Sequence, residues 1–171
     1  MGWDHRAEAN DWTRATLAAL RDEGAVLLQT EPDDISRFCP QYAQATESER
    51  AAFWAGLLSA VAKYESGWNP TAQGGGGRWQ GLMQIAPKTA DYYDCDAQTP
   101  SGLRDGASNL QCAVKIAAVQ VQRDGAVVQD DAGRWAGVAR DWMPMRDAKK
   151  RAAIAAWTSA QPYCAVKTAS R

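Results

Sequence analysis

The segment "TESERAAFWAGLLSAVAKYESG", from Thr46 to Gly67, constrains the fold more than any other. Thr46 and Glu49 fit a capping box, in which each side chain satisfies the free backbone N–H at the other's position. Phe53, Trp54, Leu57, Leu58, Val61 and Tyr64 follow at helical spacing and make a wide stripe for burial. Gly67 is the natural stop, because glycine accepts the left-handed conformation that ends helices. One carboxylate, Glu65, stands in the last turn. Val61 lies four residues before it, Leu58 seven and Trp54 eleven, so Glu65 shares the face of the apolar stripe.

The rest of the chain also reads as helical, with short Gly-, Pro- and Asp-rich connections and no long alternating stretch. A first helix is expected over about 11–28, capped by Asn10 or Asp11, with Leu17, Leu20, Val26 and Leu27 on one side. Pro87 suits the first turn of a short helix. A longer helix is expected over about 107–123, closed by Gly125, with Leu110, Val114, Ala117 and Val121 inward. Two more, about 134–142 and 146–156, finish an all-α domain. "GGGG" at 74–77 marks a loop that is either mobile or packed closely against something.

With 171 residues the chain suits one domain with a real core. Its net charge of -1 gives no basic surplus for nucleic acid and no cluster for a membrane surface. No apolar run approaches the roughly 20 residues of a membrane span. The N-terminus has no apolar central region of a signal peptide, so the chain is either cytosolic or shorn of its leader. Cys39, Cys95, Cys112 and Cys164 form no C-x-x-C pair, and His5 alone completes no ordinary zinc site. Two disulfides and an oxidising compartment are the favoured reading, with buried free thiols as the alternative.

Glu65 admits two readings. Partial burial and the negative end of the helix dipole both disfavour its charged form, which raises the pKa and suits a general acid. Alternatively it turns to solvent at a fraying helix end, or pairs with Lys63 or Arg78.

"ESGWNP", followed after the glycine run by "GLMQIAPKTA", resembles the soluble-type lytic transglycosylases, relatives of goose-type lysozyme. The matching residues are Glu65, Ser66, Asn69, Pro70, Gly81, Leu82, Met83, Gln84, Ile85, Pro87, Thr89 and Ala90. The resemblance covers roughly 53–116. It implies a single lysozyme-like domain over 46–171, with 1–45 as a helical extension packed on it. It implies cleavage of peptidoglycan between N-acetylmuramic acid and N-acetylglucosamine, in the periplasm or outside the cell, without metal or organic cofactor. Glu65 would protonate the glycosidic oxygen and then take a proton from the muramic acid's own hydroxymethyl group, which closes an anhydro ring. Ser66 and Gln84 would line the cleft, with Met83 as an apolar wall; for Ser66 the alternative is a bond back to its own helix, and for Met83 plain core packing. Asn109 matches a structural asparagine of the family.

Of the three cysteine pairings, the favoured one within this resemblance joins Cys95 to Cys112, stiffening a cleft wall, and Cys39 to Cys164. The nearby acids Asp91, Asp94 and Asp96 read as surface or cap residues, with a second catalytic carboxylate as the alternative.

Two features depart from the family pattern. Trp79 is bulky where the family is small; it either stacks on a sugar or packs under the glycine run. The family's Ala-Tyr-Asn motif is missing, which leaves Tyr93, Trp135 and Tyr163 as candidates to position Glu65, with Tyr93 also a candidate substrate contact. A lysozyme-like muramidase and a non-catalytic peptidoglycan-binding module stand as alternatives. A partner in an envelope machine is compatible with the sequence but not identified by it.

Overall fold

The structure, a computed structural model, describes residues 1–165. Among them the chain forms α1 (Ala9–Arg21), α2 (Ala25–Gln29), α3 (Glu47–Ser66), β1 (Gln73–Gly74), β2 (Trp79–Gln80), α4 (Pro87–Tyr92), α5 (Gly106–Asp124) and α6 (Ala148–Ser159), with short 3-10 turns between. This is an all-α architecture carrying one small hairpin.

Helix α3 is the axis. Both halves of its capping box form, Thr46 with the Glu49 backbone and the Glu49 side chain with the Thr46 backbone. Every residue from Phe53 to Ala62 is buried, because α1, α2, α6 and the turn Met143–Met145 all pack against it. A helix apolar all round has to be enclosed in this way. Gly67 ends it at φ 60°. Glu65 therefore emerges from a helix with ten consecutive buried residues, one residue before its last.

Helix α5 is the second support, packed on α1, α2 and the turn Gly137–Arg140. Asp105 caps it by accepting from the Ser108 backbone. One hydrophobic core runs from Trp3 to Cys164. The disulfides join Cys39 to Cys164 and Cys95 to Cys112, the two pairs favoured above.

Three local expectations are corrected. The helix expected over 11–28 breaks at Gly24, which lies against Val114 of α5 with no room for a Cβ; α1 stops and α2 restarts at a new angle. The helix expected over 134–142 is instead a bridge between Gln129 and Trp135 followed by two 3-10 turns. Gly137 sits at φ 50° against the Ala126 carbonyl, and Pro144 has no N–H, so an α-helix cannot run through. The hairpin was not foreseen: Gln73 pairs with Gln80 and Gly74 with Trp79, antiparallel.

Candidate active site

Glu65 has the environment of a proton donor. It is half-buried at the C-terminal end of α3, and burial pushes its carboxyl from 4.5 up to about 7, against the opposing charge of Lys150 in the first turn of α6. The helix dipole acts in the same direction as burial. Lys150 also lies over the Tyr64 ring at 5.8 Å, which anchors this opposing cation.

The chain leaves Glu65 through a tight turn. Gly67 donates to Lys63, the Asn69 side chain accepts from the Thr71 backbone and hydroxyl, and Ala72 accepts from the Gly81 backbone. The loop from Gly81 to Gln84 is then held from below by Asn109. That buried side chain accepts from the Met83 backbone at 2.8 Å and donates to the Gln80 and Leu103 carbonyls. Gly81, at φ 76°, leaves the space that Asn109 fills.

The residues named from the sequence separate into three groups. Trp79, Gln84 and Tyr93 line a surface groove. Glu65 and Ser66 lie at the helix end, where the Ser66 hydroxyl donates back to the Ala62 carbonyl, so it serves its own helix. Met83 is corrected: it is fully buried, and it meets the site only through its backbone, whose carbonyl accepts from the Trp142 indole at 2.9 Å. A methionine flanked by Asn109 and Trp142 packs the core and offers no wall to a substrate.

Gln84 is committed too. At φ 48° it turns its amide nitrogen onto the Ala72 and Gly81 carbonyls, which closes the turn between Glu65 and the hairpin. Its oxygen sits where Gly74 would carry a Cβ.

The groove is wide and mixed in character. Its main part, about 610 Å³, lies between Trp79, Thr89, Tyr92, Tyr93 and Asp141, with Arg78 and Lys88 on the rim. A hollow of about 60 Å³ between Trp79, Gln84 and Asp141 continues it toward Trp142. A separate pocket of about 250 Å³ between α3 and α6 is lined by Tyr64, Trp68 and Trp157. The groove is the candidate site because Gln84, on the 81–84 loop that bonds back to Ala72 in the turn after Glu65, lines its smaller hollow.

Three residues that matter here escaped the sequence. Asp141 lines the groove and accepts from the Gln120 amide at 2.6 Å; the same nitrogen donates to the Tyr93 hydroxyl. Burial pushes the Asp141 carboxyl up, against its bond to Gln120 and the charges of Arg123, Arg146 and Arg140. Lys150 and Asp141 both lie outside the motif region, and only the fold brings them in. Asp34 accepts from the backbones of Val127, Val128 and Gln129 and so fixes the strap that leads to Asp141. Of the residues considered for positioning Glu65, Tyr93 belongs to the Asp141 network, and Trp135 stacks with Arg151 at 5.4 Å. Tyr163 presses its hydroxyl, which has no hydrogen-bond partner among the described residues, against Gly56.

Residues 42–129 match the family model described as the transglycosylase SLT domain, just over half of the chain. Three solved structures of one protein, DslA, are similar nearly end to end. They are the wild type and two single Glu-to-Gln variants, each 28% identical, with 95% of this chain and 96% of DslA covered. The TM-score is 0.85 for the wild type and 0.86 for one variant. No curated protein matches the chain.

Proposed function

This chain belongs to the transglycosylase SLT family, and from that premise we propose that it is a peptidoglycan lytic transglycosylase with Glu65 as its acid and base. The observation that carries the reading is the half-buried Glu65 at the end of α3, its carboxyl raised to about 7. A carboxyl with that midpoint is partly protonated at neutral pH and partly able to take a proton back.

The steps follow from one group acting twice. Protonated Glu65 gives its proton to the oxygen between N-acetylmuramic acid and N-acetylglucosamine. The bond from that oxygen to the anomeric carbon breaks, and N-acetylglucosamine leaves with the proton. The carboxylate then takes the proton of the muramic acid's hydroxymethyl group. Its oxygen bonds to the anomeric carbon and closes the anhydro ring, and Glu65 is protonated again. Water is neither consumed nor released.

A compartment outside the cytoplasm fits this substrate and the two disulfides. We assign the helices before α3 to the same domain as packing elements: Trp12 of α1 lies against Gly106 at the start of α5.

A second reading has one observation in its favour. Asp141 is a carboxylate in the groove, and a hydrolase of ordinary design needs two carboxylates. In that case water replaces the internal hydroxyl.

Clearing of a suspension of purified sacculi tests the catalytic claim. The wild type should clear it, and Glu65→Gln should clear it at least about a thousandfold more slowly. Equal clearing by the two proteins would remove Glu65 from the chemistry.

A further inference from the structure

The glycine run and the exposed aromatics of the groove share one explanation. Trp79 is 42% exposed and Tyr92 80% exposed. Exposed apolar patches rimmed by polar residues mark ligand-binding grooves, and here Tyr92 adds to the patch while packing edge-on against Tyr93 at 5.0 Å. Trp79 is held flat against the hairpin. A Cβ on Gly75 would run into its ring, and a Cβ on Gly74 would meet both the same ring and Gln84. Gly75, at φ 56°, is also in the left-handed region. The run at 74–77 therefore seats the indole, which stays 42% exposed, with the Arg78 guanidinium over its ring at 5.6 Å.

Across the groove stands Asp141. Gln120 grips one of its oxygens, Oδ2, and ties it to Tyr93, so the carboxylate is oriented. The hollow between Trp79 and Asp141 reaches Gln84. From Asp141 the chain runs through the turn Met143–Met145, which packs on α3, to Lys150 beside Glu65. The groove of about 610 Å³ falls within the roughly 300–1,000 Å³ usual for ligand sites.

We infer that Trp79 and Asp141 form a saccharide-binding subsite, in which a pyranose ring packs on the exposed indole and Asp141 accepts its hydroxyl or acetamido hydrogens. The apolar C–H face of a sugar suits an aromatic ring, and its equatorial O–H groups suit a fixed carboxylate. Tyr92 extends the platform toward the next residue of a strand. This subsite rests on the glycan-cleaving reading of Glu65 and gives that reading its grip on the substrate.

The test is binding of the uncut strand. Glu65→Gln serves as the parent, and its affinity for purified sacculi is measured by co-sedimentation. Adding Trp79→Ala or Asp141→Ala should weaken binding at least tenfold, while adding Trp135→Ala, at an exposed ring outside the groove, should leave it within twofold. Gly75→Ala, which keeps the indole but displaces it, should also weaken binding; circular dichroism establishes that each variant is folded. In the wild-type background Asp141→Asn should raise KM with little change in kcat. Unchanged affinity for Trp79→Ala and Asp141→Ala in a parent that binds would overturn the subsite alone. A fall in kcat at unchanged affinity would make Asp141 a second catalytic carboxylate and overturn it as well. A parent that does not bind sacculi would remove the glycan reading itself.

Discussion

At neutral pH the Glu65 carboxyl is balanced between its two forms, because burial has moved its midpoint from 4.5 to about 7. The same displacement acts on stability, and its sign can be worked out. In the unfolded chain the proton leaves near 4.5; in the folded chain it stays until about 7. Between those values the folded state holds more protons, so stability falls as pH rises through that window and stays lowered above it. The contribution is roughly 3 kcal/mol. Glu65→Gln removes it. The variant should be more stable than the wild type at pH 8 and differ least at pH 4.5, as read by urea denaturation at both values. Catalysis needs the protonated form for its first step, so the wild-type rate should fall on the alkaline side with a midpoint near the raised value of about 7. Lys150 opposes the shift, and Lys150→Ala should move that limb to higher pH. The partly buried placement of Glu65 was legible in the sequence, because helical counting from Val61, Leu58 and Trp54 fixes its face. Asp141 and Lys150 were not, because each reaches the site through tertiary packing with no motif of its own. Met83 misled for a related reason: its place in the motif is conferred by its backbone contacts with Asn109 and Trp142, which a residue type does not reveal.

At the scale of elements, the best-read segment is the one whose local signals agree. The cap, stripe and stop of α3 all point to the same boundaries, and the helix runs from Glu47 to Ser66. Thr46→Ala should cost about 1 kcal/mol, measured as a shift of the urea midpoint at unchanged slope. Local reading failed where a distant backbone decides. Nothing near Gly24 announces that Val114 will press on it, and nothing near Gly137 announces the Ala126 carbonyl. The hairpin is two residues per strand, too short for alternation to appear. Asp34 belongs to the same class: it looks like a loop acid and is 7% exposed, holding three backbone N–H groups. Asp34→Ala strands those donors and should cost about 2–4 kcal/mol in thermal or urea unfolding. By freeing the strap before Asp141 it should also weaken sacculus binding.

For the whole molecule, the fold reads as a buried axial helix that delivers one acid to the surface, with a hairpin, a groove and two disulfides arranged around its end. The Cys39–Cys164 bridge spans 125 residues of sequence, nearly three quarters of the chain, so it closes the domain around α3. Replacing both cysteines by alanine should cost about 5 kcal/mol, whereas loss of Cys95–Cys112, which spans 17 residues, should cost less, about 3 kcal/mol. Scanning calorimetry of the two double variants checks that order. The central claim concerns what leaves the groove, and it is tested most directly by mass spectrometry of the soluble products released from purified peptidoglycan by the wild type and by Glu65→Gln. The account predicts muropeptides ending in anhydro-muramic acid from the wild type and none from the variant. Products with free reducing ends from the wild type would contradict it, because water would then have done the work assigned to the muramic acid's own hydroxyl.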